Sequence, residues 1–345
     1  HQASATSADI SFDLQLDGVI PSIGAGTLQP GINRVLVQTC DSLDGLGAKL
    51  DQDHIDVWYD DGDVTEISGA LVADTTLDAA SGPWFVTGNV TVPAGVTLTI
   101  EPGTTVFFDD DMRLNVYGRL LAEGTEFERI RLSRQPTSSS TWDGLNFDSA
   151  EDNRLSYLDM EYSSRDSESI RVDNSRLLID NVTWAGTSKT IIRINRSSLV
   201  VRNSTFPETT VQTVSGRRAL ASDPYIIFEN NVFGMCTGHK QDVVDFSASG
   251  PTPSPQFINN VFLGGGDDGL QLVAGLRSKG WCWRWPCLCL LPKHFQAEFG
   301  LHVVRLQLED RLEAGDFLGR VILHTRQVQP CVYAVQQAPD RVDAW

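Results

Sequence analysis

The chain has no uninterrupted run of 18 apolar residues, so it offers no helix long enough to span a membrane. It is poor in cysteine: Cys40 and Cys236 are the only two in residues 1–272. That excludes a disulfide framework for this region and leaves its redox compartment unread. Cationic side chains are scarce there as well, with 18 Lys and Arg against 38 Asp and Glu. Such an acidic body repels phosphate and excludes nucleic acid as a partner. It permits cations, and neutral or cation-bridged polysaccharides. The chain opens on His1 rather than Met. A processed or incomplete N-terminus is therefore expected, and the lack of a signal peptide carries no weight. The length of 345 residues suits two or three domains.

What is present is a repeat. The segments "YLDMEY" (157–162), "IDNVTW" (179–184), "VRNSTF" (201–206), "FENNVF" (228–233) and "FINNVF" (257–262) follow one another at spacings of 22, 22, 27 and 29 residues. Their third positions are Asp159, Asn181, Asn203, Asn230 and Asn259, and each copy ends in an aromatic residue. Short β-rich runs at such a period, with no helix between them, predict a β-solenoid. Stacked coils place equivalent residues about 4.8 Å apart, and asparagine at a fixed corner is expected to stack as a hydrogen-bonded ladder. The longer spacings are expected to loop out at "RRALASDP" (217–224) and "SASGPTPSP" (247–255), which are polar or rich in Pro and Gly. Upstream, "NVTVPAGVTLTIEPGTTVFF" (89–108) alternates apolar and polar residues between turns at "PAG" and "EPG".

These stretches, with "GRLLAEGTE" (118–126) and "GGGDDGLQL" (264–272), resemble the right-handed parallel β-helix proteins of bacterial cell surfaces and secretomes, within the pectate-lyase-like group. The resemblance covers about residues 20–272. It implies an all-β fold and an extracellular or cell-surface location. The expected role is polysaccharide interaction, with extracellular polysaccharide as partner, or surface architecture. It does not imply a particular reaction, and oligomeric state is unread. The expected organisation is 1–68, part of a β-sandwich; 69–272, the β-helix; and 273–345, an irregular or helical tail. In the first part, "LQPGINRVLVQTCD" (28–41) and "HIDVWYDDG" (54–62) resemble the last strands of an immunoglobulin-like sandwich. "DDGD" (60–63) reads as a tight turn or a calcium loop without full EF-hand spacing.

The tail breaks the pattern. It has no Asn, a single Thr and a single Ser, yet carries four of the six Cys and four of the eight Trp. Three readings stand open: an out-of-frame translation after about Leu272, a helical cap, or a metal site at Cys282, Cys287, Cys289 and His294.

Aligning the inward residues registers the coils. Ile170 and Val172, Ile192 and Ile194, Val244 and Phe246, and Leu270 and Leu272 are expected to be equivalent. The outward residues between them are then Arg171, Arg193, Asp245 and Gln271, and two positions earlier stand Glu168, Thr190, Asp242 and Asp268. The coil near Val211–Val214 has no secure register. One exposed face is therefore expected to carry a polar column. Three readings of it remain. Asp267, Asp268, Asp242 and Asp245, with Arg193 as a base, are candidate catalytic groups of a polysaccharide lyase or hydrolase, since stacked carboxylates raise one another's pKa. Arg171, Glu168 and Gln271 are candidate glycan-binding groups without chemistry. Asp267 and Asp268 are a candidate calcium pair, or simply a glycine-rich turn. The "GDDG" step resembles the adjacent-Asp motif of polygalacturonase-type hydrolases, but the chain lacks Gly-His-Gly and Arg-Ile-Lys; "TGHK" (237–240) comes nearest.

Overall fold

The computed structural model describes residues 2–5, 9–16, 19–40, 48–163, 168–217, 222–239, 241–246, 255–264 and 270–272. Asp267, Asp268 and the whole tail, with its four candidate metal ligands, lie outside the described residues. Among those residues every regular element is a strand. From Thr65 onward the strands pair in parallel with the strand one coil further along, which is the right-handed β-helix expected from the repeat.

The solenoid has three faces. The first stacks Val90–Val92, Leu114–Val116, Leu145–Phe147, Ile170–Val172, Ile192–Ile194, Val214–Gly216, Val244–Phe246 and Leu270–Leu272. The second stacks Leu98–Ile100, Leu120–Ala122, Leu177–Ile179, Leu199–Val201 and Ile226–Phe228 among others. The third pairs Thr105–Phe108 with Arg131–Arg134, and then stacks Ile130–Leu132, Leu158–Met160 and Val182–Trp184. Alternation dictates this. In Arg113–Val116 and Thr97–Ile100 every second residue is buried, and the inward residues of all three faces form one apolar core. Inside it Trp184, Phe206, Phe233 and Phe262 stack ring on ring, at centroid separations of 4.8, 4.5 and 4.7 Å. These are the aromatic ends of the repeat, brought into register by the coil spacing.

The corners differ from expectation by one residue. Asn181, Asn203, Asn230 and Asn259 all adopt left-handed backbone, with φ of 54°, 52°, 55° and 52°. Asparagine is favoured there because it tolerates this region better than other residues with a Cβ. The buried ladder belongs to the residue that follows. Ser204 Oγ accepts from Val182 N, Asn231 Oδ1 from Ser204 N, and Asn260 Oδ1 from Asn231 N, at 3.1, 3.0 and 3.0 Å. A second corner repeats the device. Ser149, Asn174 and Arg196 are left-handed, and the next residues hand their amide hydrogens on: Ala150 N to Ser175 Oγ and Ser175 N to Ser197 Oγ.

Asp159 does not belong with the asparagines. At the corner equivalent to Asn181 the left-handed residue is Tyr157, with φ of 44°, while Asp159 pairs with Thr183 and Leu158 with Val182. "YLDMEY" therefore sits two residues out of step with "IDNVTW". Asp159 points outward, and Met160 rather than Tyr162 is in register with Trp184.

The N-terminal residues form two small sheets. Asp9–Leu16 and Val19–Thr27 make a hairpin. Gly31–Cys40 and Lys49–Tyr59 pair antiparallel, with Gln2–Ala5 parallel to the latter. The second long strand begins five residues before the expected start at His54. Gly31 has φ of 107°, and a Cβ there would meet the Thr105 side chain at 2.8 Å; Ile32 N donates to Thr105 Oγ1 at 3.1 Å. The antiparallel pair thus lies against the third face.

Candidate functional site

On the first face the outward residues of consecutive strands are Thr91, Asn115, Asn146, Arg171, Arg193, Ser215 and Asp245, and the backbone of Gln271 pairs next to Asp245. The expected pairings Arg171 with Arg193, Glu168 with Thr190, and Asp245 with Gln271 are those of the register. The coil without a secure register supplies the rung Val214–Gly216. It inserts Ser215 between Arg193 and Asp245. Two rungs therefore separate Arg193 from Asp245, roughly 10 Å along the stack. Asp242 lies two residues before the rung Val244–Phe246, at the same edge as Glu168 and Thr190. The Asp268 half of the acidic group lies outside the described residues, as do its neighbour Asp267 and any calcium they would share.

Hydrogen bonds tie this column together laterally. Asn146 Nδ2 donates to Asn115 Oδ1 at 3.2 Å. Arg171 Nε donates to Asp173 Oδ2 at 2.7 Å, and its Nη1 lies 3.5 Å from Glu168 Oε1. Arg193 Nη1 lies 3.8 Å from the other oxygen of Glu168. The hydrogen bond to Asp173 raises the Arg171 pKa above its ordinary value. Glu168 is nearly buried, at 10% side-chain exposure, while Arg171 and Arg193 are about half exposed, at 49% and 47%. One carboxylate thus anchors two guanidiniums whose outer edges remain open to solvent. A permanently charged guanidinium held this way donates hydrogen bonds well and accepts protons poorly.

A second polar cluster, not anticipated from the sequence, lies on the third face. Thr105, Arg131 and Asp159 occupy one outward column on consecutive strands. All three are buried, as are the neighbouring Phe107 and Ser133, because the pair Gly31–Cys40 and Lys49–Tyr59 covers them. Arg34 donates to both Asp56 oxygens at 2.8 and 3.0 Å and pairs with Asp159 at 3.1 Å. Arg131 donates to Asp56 at 2.7 Å and to Glu161 at 2.6 Å. Arg129 donates to Asp159 at 2.8 Å, and Thr183 Oγ1 donates to it as well. Three guanidiniums face three carboxylates, so the cluster is formally neutral. Burial alone would raise the Asp159 pKa, but Arg131, Arg129 and Arg34 together hold it well below the carboxylate range. Beyond this lid the outward residues Thr183 and Ala185 are exposed again. The cluster fastens the N-terminal strands to the solenoid; its guanidiniums hold Asp56 and Asp159 in the ionised form beneath the covering strands. A signal was present in "ERIRLSR", where arginines alternate with core residues on a strand.

The acidic turn at Asp60–Asp63 is held by its own backbone. Gly62 N donates to Asp60 Oδ1 at 3.0 Å and Asp63 N to Asp61 Oδ1 at 3.1 Å. Among the described residues no three His, Cys, Asp or Glu side chains converge as a metal site. No helix of the described residues is long and apolar enough to cross a membrane. No family model, no curated protein and no solved structure matches the chain.

Proposed function

We propose that this protein is a secreted or cell-surface β-helix of the pectate-lyase-like type, carrying an immunoglobulin-like segment at its N-terminus, and that its first face binds extracellular polysaccharide. The observation that carries this reading is the uninterrupted outward column Asn115, Asn146, Arg171, Arg193, Ser215 and Asp245. Its side chains donate and accept hydrogen bonds at a repeat of about 4.8 Å, which suits an extended polymer of hydroxyl-bearing units. The other faces suit it less. The third is covered by the N-terminal strands over its first coils, and the second presents the half-buried apolar row Leu178, Val200 and Ile227. The test is retention of the protein in gels containing polysaccharide. Replacing Arg171 and Arg193 together by alanine is expected to lower retention about tenfold or more. Unchanged retention would refute the assignment of this face.

A second reading, lyase or glycoside hydrolase action, draws on the presence of Arg193, Asp242 and Asp245 on the same face. New reducing or unsaturated ends that disappear in Asp245→Ala would establish it. Their absence from a polymer that is nevertheless retained leaves binding alone.

A further inference from the structure

On the reading that the first face binds glycan, we infer that Asn115 and Asn146 are the residues that select the sugar, by reading two adjacent hydroxyls. The two asparagines stand opposite each other on neighbouring rungs, with Thr91 on one side and Arg171 on the other. Both are half-buried, and Asn146 Nδ2 donates to Asn115 Oδ1 at 3.2 Å. Each amide therefore fixes the other. Just before them in the chain Arg113 spans to Asp143 at 2.9 Å and ties the same two rungs together. The amide nitrogen of Asn115 and the carbonyl oxygen of Asn146 are left over, and neither is sealed from solvent. Two amides joined in this way keep one donor end and one acceptor end, whichever of them donates the bond between them.

This differs in kind from the arginines further along the column. A guanidinium only donates, so Arg171 and Arg193 take a lone pair from any hydroxyl and hold the polymer without telling one sugar from another. A donor and an acceptor fixed side by side demand more: one hydroxyl must accept from Asn115 while its neighbour donates to Asn146. Hydroxyls on adjacent ring carbons meet the demand when both are turned toward the face. Inverting one carbon turns its hydroxyl away and leaves one amide end covered by the sugar without a partner. A site built to hydrogen-bond a hydroxyl rejects the analogue that lacks it strongly. The amides are held before the sugar arrives, so little further ordering is lost on binding. Asn146 pairs directly with Arg171, so one polymer lying along the column meets both the selecting and the holding groups.

The experiment is affinity electrophoresis of the full chain in gels containing a glucan, a mannan or a galactan, which differ in hydroxyl configuration. The unchanged chain is expected to favour one of them by about tenfold or more. Asn146→Ala and Asn115→Ala are each expected to bring the polymers within about threefold of one another, because either change removes the joined pair. Arg171→Ala should lower retention of all of them and keep their order. Equal retention of the polymers by the unchanged chain, or a preference that survives in either asparagine variant, would overturn the inference while leaving a glycan-binding face in place. Retention of no polymer would overturn both.

Discussion

Arg131 and Asp56, 75 residues apart in the chain, meet at 2.7 Å beneath the N-terminal strands, where Arg131 Nη2 donates to Asp56 Oδ2. Arg131 also spans to Glu161 and stands 3.5 Å from Asp159. One guanidinium on the solenoid therefore holds three carboxylates, one of them contributed by the covering strand. Buried ion pairs contribute little against a well-packed apolar alternative, yet removing one member leaves the rest uncompensated. Arg131→Met is expected to lower unfolding stability by about 3–5 kcal/mol. Urea titration followed by tryptophan fluorescence measures it, and a loss below about 1 kcal/mol would show that the cluster relaxes into water.

Acid should loosen the same junction in two steps. The His54 pKa is lowered from its ordinary value of 6.5, first by burial and then by Arg34, so the unfolded chain takes up that proton first. Its contribution is complete above about pH 6.5 and falls as pH drops below it. Asp56 and Asp159 also have lowered pKa values, through Arg34 and Arg131 for the one and Arg131, Arg129 and Arg34 for the other, against an opposing effect of burial. Their contribution is present above 3.8, the ordinary carboxylate value, and is lost as pH falls through the lowered values. Urea midpoints should therefore decline gently below about pH 6.5 and steeply below about pH 4. His54→Gln should remove the first decline only; a first decline that persists in the variant would contradict the assignment.

The two residues at each asparagine corner should respond differently to substitution. Asn203 holds a left-handed backbone, so Asn203→Gly should be nearly neutral and Asn203→Val should cost about 1–2 kcal/mol. Asn231 donates to Val201 O at 2.9 Å and accepts from Ser204 N at 3.0 Å. Asn231→Ala leaves the buried Ser204 amide without its partner and should cost about 1–3 kcal/mol. Asn231→Gly should give no rescue. Equal responses at the two positions would mean that the ladder is not where the geometry puts it.

Within the core, Phe206 lies between Trp184 and Phe233 at 4.8 and 4.5 Å. Phe206→Ala is expected to cost about 3–5 kcal/mol. Phe206→Leu should cost clearly less, because volume is mostly kept. Thermal unfolding by circular dichroism separates the two; equal losses would show that ring stacking adds nothing to burial.

The solenoid was legible because its period is written in residues that corners and cores demand: asparagine where φ is positive, aromatic rings where coils stack, and alternation between them. The first face was legible for the same reason, since inward residues such as Ile170 and Ile192 fix the outward Arg171 and Arg193. Two things escaped. Asp159 resembled a corner residue because "YLDMEY" has an acid at the third position, and only the pairing of Leu158 with Val182 reveals the two-residue offset. The buried cluster escaped with it, because Arg34 and Asp56 come from strands distant in sequence whose docking no local pattern encodes. The rung at Val214–Gly216 escaped because its outward residue is a short serine and its last inward position a glycine, which lies against the Phe246 ring. It leaves no apolar pair to align.

The central claim is that the first face receives the polymer, and hydrogen–deuterium exchange with and without a retained polysaccharide tests it most directly. Slower exchange is expected in Glu168–Asp173, Thr190–Asn195, Val214–Gly216 and Val244–Phe246, with Thr105–Phe108 and Ile130–Arg134 unchanged beneath the N-terminal strands. Protection confined to the second or third face, with the first face exchanging as before, would contradict it.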